Sequence, residues 1–124
     1  MSPVRTVLIL GLLIMAGPAR AEEWVEPEQR CDGNTPQIVD CLVDRAAQWE
    51  KRMNTAYKQA LADAEPKQRE MLVAAQRFWI QYREANCDYC DLGPGTISSI
   101  QFGHCMKDLT ETRARELERH VERH

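Results

Sequence analysis

The chain has 124 residues, of which 28% are charged, and its formal net charge at pH 7 is −3. This length suits one small domain with a single core. The mildly acidic balance argues against nucleic acid as a partner.

The first 21 residues have the organisation of a secretory signal peptide. Arg5 precedes ten residues without a polar side chain, and Ala19 and Ala21 stand where a signal peptidase reads small residues. The apolar run is too short to cross a membrane, and no cysteine near the cleavage site offers a lipid anchor. We therefore expect a soluble periplasmic or secreted protein without membrane insertion. Cleavage would leave 14 basic and 19 acidic residues, a net charge of −5.

An N-terminal arm and a long helix are predicted next. Residues 22–30 are rich in glutamate and should form an extended arm. Thr35-Pro36 is a good helix start, with a hydroxyl cap followed by proline at the first helical position. The first helix should run from about Pro36 to Ala64, because its apolar residues step by three and four and form one stripe. They are Ile38, Leu42, Ala46, Trp49, Met53, Ala56 and Ala60.

A second helix should begin at Pro66, which interrupts the first, and run to about Tyr89. Its apolar residues also step by three and four and predict a second buried stripe. They are Met71, Ala75, Phe78, Tyr82, Ala85 and Tyr89, flanked by Leu72 and Trp79. Two long helices with matching stripes and a tight connection form an antiparallel hairpin.

A third helix, from about Ile97 to Val121, follows a Gly-Pro-rich loop. Its apolar residues are Ile100, Cys105, Leu109 and Leu117. The chain shows no strand pattern and no internal repeat. The sequence therefore predicts an all-α domain of three helices at 31–121, built on the antiparallel hairpin and stapled by disulfides.

Motifs along these helices occur in a recognisable order. Cys31 and Cys41 flank the first helix start, Met53-Asn54-x-x-Tyr57 follows, and 75–87 reads Ala-Gln-Arg-Phe-Trp-Ile-Gln-Tyr-Arg-Glu-Ala-Asn-Cys. After a Gly-rich turn at 93–95 come Cys105, Thr110, Arg113 and Leu117. In this order the motifs resemble the lysozyme-inhibitor LprI-like domain of bacterial envelope proteins, and 75–87 is similar to its central signature.

The resemblance covers about Cys31 to Leu117 and implies an all-α envelope protein that binds lysozyme, without a cofactor. The sequence departs from the family at Glu50, where Asp is frequent, at Met53, where Leu is frequent, and in the additional Cys90. The matching signature residues are expected to have structural roles. They are Asn54, Tyr57, Gln76, Arg77, Trp79, Tyr82, Arg83 and Arg113.

All five cysteines follow the leader, which in a small exported domain indicates disulfides. The local pairs Cys31–Cys41 and Cys87–Cys105 are one arrangement and leave Cys90 as a free thiol. An antiparallel hairpin also brings positions 41 and 89 to one level, so Cys41–Cys87 with Cys31–Cys105 is a second arrangement. Cys87 and Cys90 have the spacing of a redox motif, but they end a helix, whereas redox enzymes place that motif at a helix start.

The aromatic cluster of the second helix has two interpretations. Because their spacing continues the apolar stripe, Phe78, Trp79 and Tyr82 are predicted to lie in the core between helices. The alternative is an exposed aromatic anchor for a partner. Of the two arginines beside them, Arg83 is the better candidate to tie the helices together through charge-assisted bonds, and Arg77 is the other.

No catalytic or metal-binding constellation stands out in the sequence. His120 and His124 are four apart at the chain end and lack a third ligand, so no metal site is expected. We expect a non-enzymatic binding protein with a protein partner, a lysozyme in the first instance, and contact residues and oligomeric state stay open. The alternative is a general periplasmic interaction or stress module without lysozyme activity. A thiol-redox enzyme that uses Cys87 and Cys90 is a distant third.

Overall fold

The computed structural model describes residues 30–123, which contain three helices and, within that range, no strand. Helix α1 spans Thr35–Asp63, α2 spans Pro66–Cys90 and α3 spans Ile97–Val121. The predicted all-α, three-helix class is confirmed, and each helix end lies within one residue of its predicted position. None of the three helices is long and apolar enough to span a bilayer.

The predicted leader at 1–21 and the arm up to residue 29 lie outside the described residues.

A reciprocal side-chain cap sets the start of α1. The side chain of Asn34 accepts a hydrogen bond from the Gln37 backbone N–H at 3.1 Å, and the Gln37 side chain accepts one from the Asn34 N–H at 2.9 Å. The cap of α1 is therefore Asn34, one residue before the predicted Thr35, because Gln37 stands three residues after it and completes the box. Helix α2 begins similarly, since the Glu65 N–H donates to the Gln68 side chain at 3.1 Å.

Helices α1 and α3 run parallel and make the most extensive interhelical contact. Leu42, early in α1, lies against Gly103, early in α3. Further along both helices, Arg52 forms an ion pair with Glu118. The absence of a side chain at Gly103 lets the two helix backbones approach closely beside Leu42.

Helix α2 runs antiparallel to both and packs more sparsely. Its later residue Arg83 bonds Glu50 of α1, and its earlier residue Gln76 reaches Met53 further along α1. Arg69 closes the hairpin connection by donating to backbone carbonyls at the end of α1. The result is an up-down-up bundle in which α1 and α2 form the predicted antiparallel hairpin.

The hydrophobic core lies mainly between α1 and α3. It consists of Trp49, Met53, Ala56, Ala114 and Leu117, with Tyr57, Leu72 and Trp79 packed against it. The predicted stripe of α1 is confirmed, since each of its residues is buried or half-buried.

The predicted burial of the α2 stripe is wrong. Its large members are exposed, and the opposite side of α2 faces the bundle instead. The inward residues are Leu72, Gln76, Ile80, Arg83 and Cys87. They share one helix face because they recur at intervals of three and four residues.

Two disulfides join residues that are close in sequence. Cys31 pairs with Cys41 and Cys87 pairs with Cys105, with Cα–Cα distances of 5.6 and 5.5 Å. This is the local arrangement of the two that the sequence left open, and Cys90 is a half-buried free thiol. The second bridge fixes the end of α2 to α3.

The close approach of α1 and α3 predicts that Gly103→Ala destabilises the protein. A Cβ at position 103 would lie 3.0 Å from Cδ1 and 3.1 Å from Cβ of Leu42. In a helix interior this substitution usually gains roughly 0.5–1 kcal/mol. Overpacking should reverse the sign and lower the free energy of unfolding by about 1 kcal/mol, measured by urea unfolding.

Two controls accompany this prediction. Gly93→Ala has no neighbour closer than 3.8 Å and should change stability little. In the Leu42→Ala background the contact with Cδ1 is removed but the contact with Cβ at 3.1 Å remains, so the steric cost of Gly103→Ala should become smaller without disappearing. A stability gain from Gly103→Ala alone would contradict the prediction.

Candidate functional site

The central signature, residues 75–87, lies within α2 and presents two opposite faces. The inner face carries Gln76, Arg83 and Cys87, all buried. The outer face carries Phe78 and Tyr82, both exposed. The signature therefore combines a structural half with a half that the bundle leaves uncovered.

Arg83 ties the three helices together. It is 7% exposed, and its Nη1 donates to Glu50 Oε2 of α1 at 2.5 Å and to Thr110 Oγ1 of α3 at 3.1 Å. Its guanidinium carbon lies 4.9 Å from the centre of the Trp79 ring, a cation–π contact. These contacts join α2 to both α1 and α3 and are consistent with the helix-tying role proposed for Arg83.

The contacts of Arg83 with Glu50 and Thr110 form one polar layer, the Arg83 layer, and a second polar layer lies beside it. Arg113 of α3 is 8% exposed and donates through Nε to Gln76 Oε1 at 2.9 Å and through Nη1 to Glu116 at 2.8 Å. The amide nitrogen of Gln76 in turn donates to the sulfur of Met53 at 3.6 Å. Two signature residues, Gln76 and Arg113, thus satisfy each other inside the bundle.

Arginines also cover the core at Trp49, a contact that the sequence analysis missed. The guanidinium carbons of Arg52 and Arg115 each lie 4.7 Å from the centre of the Trp49 ring. Arg52 pairs with Glu118, and Arg115 pairs with Glu111 at 3.1 Å. The i,i+4 spacing of Glu111 and Arg115 is readable from sequence, whereas the approach of both arginines to Trp49 depends on the packing of α1 on α3.

The remaining signature residues divide by exposure. Tyr57 and Trp79 are half-buried and pack against the core, as expected for structural residues. Asn54, Arg77 and Tyr82 are exposed. For these three the scaffold role expected from the resemblance has no buried contact to support it.

An apolar stripe runs along the exposed side of α2. It comprises Met71, Ala75, Phe78, Tyr82, Ala85 and Tyr89, and we refer to these six residues as the outer stripe. Its four large members are 55%, 68%, 55% and 76% exposed in chain order, and the two alanines are exposed as well. At 1.5 Å per residue the stripe is about 27 Å long. It contains no charged residue.

The outer stripe corrects the prediction that Phe78 and Tyr82 lie in the core, while Trp79 is half-buried. The disulfide explains the reversal. Cys87 is bonded to α3, so it faces the bundle, and the residues 4, 7 and 11 positions before it share its face. That sequence signal would have identified Arg83 and Gln76 as inward residues and Phe78 and Tyr82 as outward ones.

The structure gives no support to the redox and metal sites that the sequence analysis considered. Cys87 is bonded to Cys105, so Cys87 and Cys90 do not form a redox pair here. His124 lies outside the described residues, and within 30–123 no cluster of three metal-ligating side chains occurs. A cleft of about 190 Å³ opens between the ends of α1 and α3 and the start of α2, with Asp63, Gln68 and His120 among its lining residues.

Comparison with known protein families identifies a match that covers most of the chain. The family model for the lysozyme inhibitor LprI matches residues 28–117. This range includes both disulfides, α1, α2 and most of α3. No curated protein and no solved structure matches the chain.

The Arg83 layer predicts an unequal response to two similar substitutions. Glu50→Gln leaves the buried Arg83 charge with a neutral partner and should lower the free energy of unfolding by about 1–2 kcal/mol. Glu70→Gln removes the partner of Lys67 in a pair that is well exposed on both sides, so it should have little effect. Urea unfolding measures both. Equal effects of the two substitutions would contradict the role assigned to Glu50.

The ion pairs of Lys107 predict that the stability of the fold depends on pH in the alkaline range. Partial burial lowers the pKa of Lys107, but its bonds to Asp108 and Glu111, at 2.6 and 3.3 Å, outweigh burial and raise the pKa above 10.5. A raised pKa in the folded state means that the stabilisation is complete below the ordinary pKa and is lost as pH rises through the folded value.

The stability difference between the native protein and Lys107→Gln should therefore be constant at neutral pH and shrink above pH 10.5. Urea unfolding across that range checks it, in a Cys90→Ser background because free thiolates exchange disulfides at high pH. A difference that grows with pH would show the sign to be wrong.

Proposed function

This chain belongs to the LprI lysozyme-inhibitor family, and from that membership we propose that it is an exported, non-enzymatic protein that inhibits a lysozyme by binding it. The family match carries the proposal because it extends over nearly the whole helical domain instead of one short motif. The inhibitor would dock on or near the active-site cleft and deny access to peptidoglycan.

The construction of the bundle supports a binding role. An inhibitor that acts by docking gains affinity from a surface that is already ordered, because ordering on binding has an entropic cost. Two disulfides and the three-helix contact of Arg83 provide such order. The Cys87–Cys105 bridge and the Arg83 contact restrict movement of the helices relative to one another, and the Cys31–Cys41 bridge holds the segment before α1 against that helix.

Export and charge support the same partner class. The signal peptide predicted at 1–21 would deliver the protein to the periplasm or the exterior, where lysozymes meet peptidoglycan. The net charge of −5 expected after cleavage would speed encounter with a strongly basic lysozyme through long-range steering.

The direct test is lysis of peptidoglycan by hen-type, goose-type and invertebrate-type lysozymes, with and without purified, oxidised residues 22–124. We expect stoichiometric inhibition of one class. The same chain, reduced and alkylated, serves as the control, since loss of both bridges should unfold this small domain and remove inhibition. No inhibition by protein that circular dichroism shows to be folded would overturn the proposal and favour a general envelope interaction module.

The steering argument predicts a salt dependence. The Debye length falls from about 30 Å at 0.01 M salt to about 8 Å at 0.15 M, so the association rate with lysozyme should fall over this range. Binding kinetics on immobilised lysozyme measure the rate directly, free of the effect of salt on lysis. A salt-independent association rate would remove the electrostatic part of the proposal and leave inhibition itself untouched.

A further inference from the structure

The outer stripe is an extended apolar feature that the described residues leave uncovered. Helix faces with apolar residues at steps of four and three are typical of packing against another helix. Within residues 30–123, α1 and α3 contact α2 on its opposite face, so no helix packs against the outer stripe. A row of four large exposed apolar side chains on one helix indicates an interaction surface.

The outer stripe is self-complementary in the antiparallel direction. A two-fold axis at its midpoint, level with residue 80, places large residues opposite large ones and small opposite small. The resulting layers are Met71 with Tyr89, Ala75 with Ala85, and Phe78 with Tyr82. These are the layers that an antiparallel pair of helices with this spacing forms, with each residue meeting the equivalent layer of the other copy.

We propose that α2 pairs with α2 of a second copy of this chain, antiparallel and along the outer stripe, to form a two-fold symmetric dimer. The two alanine layers allow the helices to approach closely. The aromatic layers at the centre fill the space on either side of the axis, and the methionine–tyrosine layers close the two ends.

The charges beside the stripe permit this pairing. Two copies of a protein with the net charge of −5 expected after cleavage repel each other, and this repulsion is smallest when the contact itself is neutral. The stripe has no charge, and Ala74 and Gln81, which border it on one side, are uncharged. Asp88 continues that border and falls opposite Ala74 of the second copy, so no like charges meet across the axis.

The area available suits a reversible dimer. Each copy contributes three aromatic rings and one methionine, all at least half exposed. A whole aromatic side chain buries about 150–250 Å², so these four side chains could bury roughly 500 Å² of surface per copy. The total of about 1,000 Å² is where specific interfaces begin, and interfaces at this low end of the range are typical of transient, reversible association. Residues 22–29, outside the structure, hold four glutamates and one aromatic residue, which is too little apolar surface to cover the stripe instead.

Sedimentation equilibrium of oxidised residues 22–124 tests the dimer without any lysozyme, so its outcome is separate from that of the inhibition assay. All samples carry Cys90→Ser, which prevents a dimer through the free thiol. We expect a concentration-dependent dimer. Phe78→Glu, which sets a charge against Tyr82 of the second copy in two symmetric layers, should weaken dimerisation roughly tenfold or more.

Val43→Glu is the matched control. It makes the same change at an apolar residue of α1 that is 57% exposed and lies off the stripe, so the dimerisation constant should stay unchanged. Circular dichroism checks that both variants are folded. A monomer throughout the micromolar range, or a dimer equally sensitive or insensitive to both substitutions, overturns the proposal.

Cysteine cross-linking tests the register. Mixed Ala75→Cys and Ala85→Cys variants should cross-link under mild oxidation, because the two positions form one layer. Each variant alone should not cross-link. In the antiparallel dimer, position 75 of one copy is level with position 85 of the other, so the two cysteines of a single variant would lie ten residues apart along the helices. That separation is about 15 Å, beyond disulfide reach. Cross-linking of Ala75→Cys with itself, and not with Ala85→Cys, would overturn the antiparallel arrangement.

Discussion

The bond between Cys87 and Cys105 decides which side of α2 faces the bundle, and the rest of the arrangement follows from it. A covalent link to α3 holds position 87 inward. Helical periodicity then brings Arg83 and Gln76 to the same side, although both are polar. A rotation of α2 that buried Phe78 would have to break this bond and withdraw Arg83 from Glu50 and Thr110.

A polar inner face on α2 requires partners, and the neighbouring helices provide them. Arg83 and Arg113 are buried along their length but end at Glu50 and Glu116, whose side chains are 41% and 45% exposed. The ion pairs therefore lie at the edge of the interior, where the cost of removing charge from water is only partly incurred. The apolar core can then remain between α1 and α3, with small residues at close contacts and α2 held outside them by long side chains.

The signature of 75–87 accordingly has a buried face and an exposed face in this chain. Its inner residues build the scaffold, as Gln76 and Arg83 show. Its outer residues, Phe78 and Tyr82, are exposed and contribute nothing to the described interior. One half of the signature therefore accounts for the packing of α2 on the other helices, while the other half lies on the surface of the bundle.

The sequence by itself determined the class, number and ends of the helices. Proline positions, capping residues and the apolar stripe of α1 act locally, and local effects can be read along the chain. It also restricted the cysteines to two arrangements. What it did not determine was the rotation of α2. Both faces of that helix recur at steps of three and four, so hydrophobicity alone favoured the outer stripe as the buried one. Only the tertiary structure decided between them, because the deciding constraints, a disulfide to α3 and the pairing of Arg83 with Glu50 and Thr110, join residues on different helices.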